Sequence, residues 1–187
     1  TQIGLMNGGS IRGDKVYPAG EISYKTLYEM LPYGNTLVRI DLTGEQIRDI
    51  LEVSASALIR EGDGYDGNLR TPTGGFLQVS GLKVSYDLKK KPALINNDGD
   101  LLENGDRVVE VMVENDDGTW APLNPGTVYS VTTTDWLAPG GDKYYVFKMA
   151  APTAYSMQVG DVESLAQYIR HLGEIKLQSE ERITILQ

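Results

Sequence analysis

Apolar and polar residues change period several times along this chain, and those changes divide it into elements. Residues 2–6 read as a short strand that runs into the glycine turn Asn7-Gly8-Gly9-Ser10. Ser23 suits an N-cap for a helix over 24–31, with Leu27, Met30 and Leu31 on one face, and Pro32-Tyr33-Gly34-Asn35 ends it. Residues 36–42 alternate apolar and polar side chains, the mark of a half-buried strand. Thr43 followed by Gln46 makes a capping box. The helix it opens, over 45–60, repeats Ile47, Ile50, Leu51, Ser54 and Leu58 at helical spacing.

Residues 61–75 are rich in glycine and read as a long loop. Strands are expected over 76–79, 82–87, 107–114 and 127–133. Turn-rich pieces such as Asn96-Asn97-Asp98-Gly99-Asp100 and Asn115-Asp116-Asp117-Gly118 join them. A helix over 162–172 follows, with Asp161 as its cap and Gly173 as its stop, and 182–186 forms a last strand. With no repeat, coiled coil or low-complexity linker, the pattern predicts a single α+β domain over 1–187. It should hold a mixed, mostly antiparallel sheet and two to three helices.

Composition narrows the chemistry. At 187 residues, 41% hydrophobic and 23% charged, the chain has the make-up of one globular domain with a full core. The 17 basic residues against 26 acidic ones give a formal charge of −9, and no basic stripe offsets it, so nucleic acid is not an expected partner. No apolar run approaches the ~20 residues of a membrane span, so membrane insertion by this chain is not expected. The absence of cysteine removes disulfides, thiolate nucleophiles and sulfur-ligated metals. His171 is the only histidine, which leaves no imidazole set for a metal-dependent phosphohydrolase centre, so no metal site is expected in this chain. The opening Thr-Gln-Ile-Gly-Leu-Met lacks an initiator methionine and begins inside an expected strand, as a piece of a longer polypeptide would.

Three segments carry candidate binding chemistry. In Asn7-Gly8-Gly9-Ser10-Ile11-Arg12, the glycines Gly8 and Gly9 let backbone approach a ligand. Arg12 can grip a phosphate bidentately, and Asn7 can pair with a base edge. The spacing is neither a dinucleotide fingerprint nor a P-loop. Read alone, the segment is slightly better described as a tight turn with a surface salt bridge. In Trp136-Leu137-Ala138-Pro139-Gly140-Gly141-Asp142, Trp136 can stack on a base and Asp142 can accept from ribose hydroxyls across the turn made by Gly140 and Gly141. A buried indole beside a glycine turn is an equal reading. Tyr33, held between Pro32 and Gly34, is placed for display, and opposite Trp136 it would complete a slot for a flat ring.

Other features point to nothing further. His171 sits near a helix C-terminus, where the dipole favours it. Lys89-Lys90-Lys91 solvates a turn. With Gly105 set at the glycine of a calcium loop, the spacing puts Leu102 where a ligand is needed. There is no nucleophile elbow and no residue set for a conventional triad.

Taken in order, the segments resemble the C-terminal domain of the 5′-nucleotidase family, which includes UDP-sugar hydrolases and 2′,3′-cyclic phosphodiesterases. The family pattern reads roughly N-G-G-G-I-R, I-x-Y-x-x-L-x-x-x-L-P-F-G-N, L-x-G and F-L-A-x-G-G-D-G-Y. This chain has NGGSIR at 7–12, ISYKTLYEMLPYGN at 22–35, LTG at 42–44 and WLAPGGDKY at 136–144. FLQVSGLKVSYD at 76–87 resembles the family's middle strands, and LAQYIRHLGEI with ERI its closing helix and strand.

The resemblance implies that Tyr33 and Trp136 sandwich a base, with Asn7 at the base edge, Asp142 on the ribose and Arg12 on the phosphate. The ligand would be a nucleotide or nucleoside of the adenosine or AMP kind. No cofactor is implied in this chain. Two divalent metal ions would sit in an N-terminal metallophosphoesterase domain of the same polypeptide, absent here, and domain rotation would carry the substrate to them. This chain would then be inactive alone, and the parent protein extracytoplasmic: periplasmic, secreted or attached to the cell wall. Ser10 replaces the third glycine, Tyr33 and Trp136 replace phenylalanines, and Lys143 replaces a glycine; Pro139 and Lys143 should reshape the ribose side. The family's further phosphate-binding arginines lie upstream of Thr1, so nucleoside contacts should dominate affinity. Two alternatives stand beside this reading: a non-catalytic binding or interaction module on the same fold, and the substrate domain of a relative that acts on a non-nucleotide compound.

Overall fold

Thr36–Thr43 (β2) shows how the chain builds its centre. Val38, Ile40 and Leu42 point one way into the core, and the strand pairs antiparallel along its whole length with Val128–Thr134 (β9). Thr43 closes it with the expected capping box, giving and taking one hydrogen bond with Gln46, and Gly44–Ser56 follows as helix α2. The computed structural model describes residues 1–60, 66–176 and 180–186; of the expected loop over 61–75, residues 61–65 lie outside them.

The remaining elements, in chain order, are Ile3–Asn7 (β1), Tyr24–Met30 (α1), Leu77–Ser80 (β3), Leu82–Asp87 (β4), Leu94–Ile95 (β5) and Leu101–Glu103 (β6). Then come Val108–Glu114 (β7), Trp120–Pro122 (β8), Tyr145–Ala150 (α3), Tyr155–Gly160 (β10), Asp161–Leu172 (α4) and Ile183–Leu186 (β11). Two main sheets result. One runs β10-β2-β9-β1-β3, with only β1 and β9 parallel; the other runs β11-β4-β7-β8, with β11 parallel to β4. β5 and β6 form a small antiparallel pair. The α+β class and the mixed, mostly antiparallel pairing agree with the sequence pattern.

The counts differ: the described residues hold four α-helices and three sheets, where the pattern predicts two or three helices and one sheet. The extra helix, α3, has six residues, too few to show a period. β10 is exposed along most of its length, and its short alternation of Tyr155, Met157 and Val159 is not among the expected strands. Two boundaries also move. Asp161 is not the cap of α4 but its first residue, Gly160 taking the cap position, while Gly173 ends the helix at φ 72° as expected.

The other change is at the end of α2, which stops at Ser56 rather than residue 60. Its last carbonyls are taken by Arg107, 1% exposed, whose Nη1 donates to Ala55 O (3.0 Å) and Leu58 O (2.6 Å) and whose Nε donates to Lys90 O (3.1 Å). The Glu52 carboxylate in turn accepts the backbone N–H groups of Arg107 and Val108, both at 2.9 Å. Burial raises the Glu52 carboxyl above its ordinary value, and those two hydrogen bonds oppose the shift. An arginine thus does what a glycine C-cap does elsewhere, satisfying carbonyls at and just beyond the helix end.

α2 touches β2 in one sheet and β7 in the other, so Ile47, Ile50 and Leu51 knit both into one core. Its serines serve the loop beyond. Ser54 Oγ accepts from Leu77 N (2.9 Å), and Ser56 Oγ accepts from Thr71 N (3.1 Å). A smaller core joins α1 to α4 through Leu27, Leu31, Val162 and Ala166, which fixes the turn carrying Tyr33.

Replacing Arg107 by alanine removes the donors that reach the Ala55, Leu58 and Lys90 carbonyls and opens a cavity. The expected loss is about 3–5 kcal/mol of unfolding free energy, read as a lower urea midpoint. A variant as stable as the parent would show that water or a neighbour replaces the guanidinium.

Candidate functional site

β1 and β9 lie side by side and parallel, so their C-terminal ends leave the sheet at the same edge. Asn7 is the last residue of β1, and the turn carrying Trp136 begins as soon as β9 ends at Thr134. Two segments far apart in sequence are thereby delivered to one place. A third, the turn after α1, is brought in by hydrogen bonds from Asp135 N to Thr36 O (2.9 Å) and from Asp161 N to Asn35 O (2.9 Å).

All five residues named as candidates from the sequence line one cleft of about 430 Å3: Asn7, Arg12, Tyr33, Trp136 and Asp142, together with Gly9. Tyr33 and Trp136 are 57% and 54% exposed, so both rings are offered to solvent rather than spent in the core. Arg12 is the only basic residue of the lining. Its backbone N–H is fixed to Met30 O (2.8 Å), and its Nε and Nη2 donate to the Tyr33 hydroxyl at 3.1 and 2.8 Å.

Asn7 and Asp142 form the floor. Asn7 is 5% exposed; its Nδ2 donates to Asp142 Oδ2 (2.7 Å), and its Oδ1 accepts from Ser10 Oγ (2.5 Å). Asp142 adopts the left-handed region (φ 53°) after Gly140 at φ 102°, a conformation that aspartate tolerates better than most residues. Its backbone carbonyl accepts from Thr71 Oγ1. Burial pushes the Asp142 carboxyl up from its ordinary value, while hydrogen bonds from the Asn7 and Trp136 side chains partly hold it down. A half-buried carboxylate whose position is fixed by an amide is a ready acceptor for hydroxyl donors.

The glycines have steric reasons. A Cβ on Gly141 would stand 2.4 Å from the Trp136 carbonyl oxygen and 2.8 Å from its Nε1, so the indole can lie over this turn only because it has no side chain. A Cβ on Gly9 would meet Gly74 O at 3.0 Å, where two glycine turns abut. Gly8 N donates to Phe76 O (2.7 Å), tying the same two turns together. Lys143, the departure noted at the family's glycine, points its Nζ away to Gly67 O (2.7 Å) and Asn97 Oδ1 (3.0 Å).

Sequence reasoning missed four lining residues: Ser10, Asn35, Pro72 and Gly74. The last two come from the stretch read only as a loop, although Gly74-Gly75 repeats the doubled glycine of the other two turns. Among the described residues, no three or more His, Asp or Glu side chains are grouped so as to hold a metal ion, and no helix is long and apolar enough to cross a membrane.

The fold is a two-sheet α+β domain with a cleft where β1 and β9 end. Residues 1–150 match the family model described as 5′-nucleotidase, C-terminal domain, and the chain belongs to that family. It is 32% identical over 176 residues to the trifunctional nucleotide phosphoesterase protein YfkN of Bacillus subtilis, covering 92% of this chain and 10% of that protein. The snake venom 5′-nucleotidase of Naja atra is 33% identical over 176 residues, covering 91% of this chain and 29% of that one. Among solved structures, the 5′-nucleotidase precursor from Thermus thermophilus superposes with a TM-score of 0.78 at 36% identity, covering 100% of this chain and 32% of that one. The chain therefore spans between a tenth and a third of the length of these relatives.

Alanine at Gly141 is expected to displace the indole and cost about 1–3 kcal/mol. In a Trp120→Phe background, where Trp136 alone emits, the emission maximum should shift. Unchanged emission and stability would mean that the turn relaxes around the methyl.

Proposed function

We propose that this chain is the substrate-recognition domain of a nucleotide-cleaving phosphoesterase, and that the cleft beside β1 and β9 holds a nucleoside or nucleotide of the adenosine or AMP kind. The observation that carries the reading is the convergence on one cleft of two exposed rings, one half-buried carboxylate and one arginine. The names of the relatives at 32% and 33% identity, both nucleotide-cleaving enzymes, support it.

In this reading the base lies between Tyr33 and Trp136, where stacking contributes roughly 1–3 kcal/mol per base. Asp142 accepts from the ribose hydroxyls. Asn7 holds that carboxylate in place, and its second N–H remains for the base edge. Arg12 meets the phosphate with a charge-assisted hydrogen bond worth about 1.5–3 kcal/mol. The surface is acidic overall, at −9, so a single well-placed guanidinium rather than a general field must receive the anion.

The chemistry belongs elsewhere in the polypeptide. A two-metal centre in an N-terminal domain would polarise the phosphoryl oxygens and activate water. What this chain supplies is grip and orientation, so that the phosphate projects past Arg12 and away from the floor. An extracytoplasmic setting fits the snake venom relative.

Adenosine titrated into the chain should quench tryptophan fluorescence saturably, with a dissociation constant between high micromolar and millimolar. Trp136→Ala, which retains Trp120, should lose the response. A flat titration of the folded parent with all common nucleosides and nucleotides would sink the reading. The ionised Asp142 is the better acceptor and its folded value is raised. Affinity should therefore fall on acidification, beginning above the pH at which an ordinary aspartate titrates, and Asp142→Asn should bind more weakly without that acid limb. A pH profile identical in parent and Asn variant would assign the dependence to another group.

A further inference from the structure

Arg12 is not loose on the surface. Its Nε and Nη2 both donate to one acceptor, the Tyr33 hydroxyl, at 3.1 and 2.8 Å, and its Cζ stands 5.5 Å from the Tyr33 ring centroid. No carboxylate among the described residues forms an ion pair with it, so its charge is not neutralised by an acid of this domain. A guanidinium has five N–H donors in a fixed plane. With the Nε–Nη2 side held by Tyr33, the edge formed by Nη1 and the outer proton of Nη2 is left for a second partner. That edge matches two oxygens of a phosphate.

We propose that Tyr33 is a positioning residue for Arg12, its hydroxyl fixing which edge of the guanidinium the cleft presents and so setting the preference for a phosphorylated over an unphosphorylated nucleoside. The proposal rests on the reading of the cleft as a nucleotide site. It gives a role to the hydroxyl that separates Tyr33 from the phenylalanine of the family pattern, a hydroxyl that stacking does not need. One side chain then serves two subsites: its ring faces the base and its oxygen holds the cation that meets the phosphate. Because an arginine side chain is rich in rotamers, holding it beforehand also lowers the ordering cost of binding the anion.

The test compares adenosine and AMP binding in the parent chain, Tyr33→Phe, Arg12→Ala and the double variant. The AMP-over-adenosine preference should fall about threefold to tenfold in Tyr33→Phe, the range for one lost hydrogen-bond acceptor. In the Arg12→Ala background, Tyr33→Phe should change that preference no further. A preference that Tyr33→Phe leaves unaltered, or lowers equally without Arg12, overturns the proposal. The contact itself is read without ligand from the Arg12 Nε–H resonance in nitrogen–proton correlation NMR. In Tyr33→Phe this resonance should shift and exchange faster with water; indifference to the substitution overturns the coupling even where nucleotides bind. A parent chain that takes neither ligand overturns the nucleotide reading, and the Nε–H resonance still decides the Tyr33–Arg12 contact.

Discussion

The hydrogen bond from Asn7 to Asp142 is the constraint on which the cleft depends. It joins residues 135 positions apart, and it holds a half-buried carboxylate in a left-handed turn that glycine would otherwise occupy. Each partner is braced from a different direction: Asn7 by Ser10, and the Asp142 backbone by Thr71. Thr71 is in turn anchored to Ser56 on α2, so the floor of the cleft is bonded to the central helix. Loss of any link leaves a buried polar atom without its partner, and that cost makes the arrangement rigid rather than merely possible.

Above this floor the cleft divides its labour between apolar faces and polar edges. The rings of Tyr33 and Trp136 are exposed because their backbones are occupied in turns: Tyr33 lies just beyond α1, and Trp136 is draped on Gly141. In a domain of charge −9, the lone arginine of the lining stands out against its surroundings. Recognition built in this way relies on shape and a few directed bonds, and little on long-range attraction.

Much of the architecture was legible because local signals agreed with one another. Thr43 and Gln46 announce the start of α2, the alternation of 36–42 gives β2, and Gly173 ends α4. The five candidate residues were legible for another reason. Read alone, the first motif suits a tight turn and the second is an even choice; it is the ordered family resemblance that singles out Asn7, Arg12, Tyr33, Trp136 and Asp142, which the fold gathers in one cleft. What the sequence hid is long-range. Nothing local says that Arg107 would end α2 early, since the carbonyls it takes belong to residues some 50 positions before it. Strand β10 alternates Tyr155, Met157 and Val159 over only six residues and follows closely on a helical turn, and the part of the wall made by Pro72 and Gly74 lies in a stretch with neither helical nor strand period. The hydroxyl of Tyr33 looked interchangeable with a hydrogen until its partner Arg12 was in view.

The parallel contact between β1 and β9 has a consequence for how the domain comes into being. Gln2 and Ser130, which bond to each other at its start, are 128 residues apart in a chain of 187, so this pairing closes a loop that takes in most of the chain. Closing so long a loop is entropically slow relative to the hairpins and helices between them. The floor of the cleft depends on that closure, and so it should be among the last features to assemble. A chain in which most secondary structure has formed would still lack the cleft, and under the proposed function a nucleotide present during folding would act by trapping the finished state.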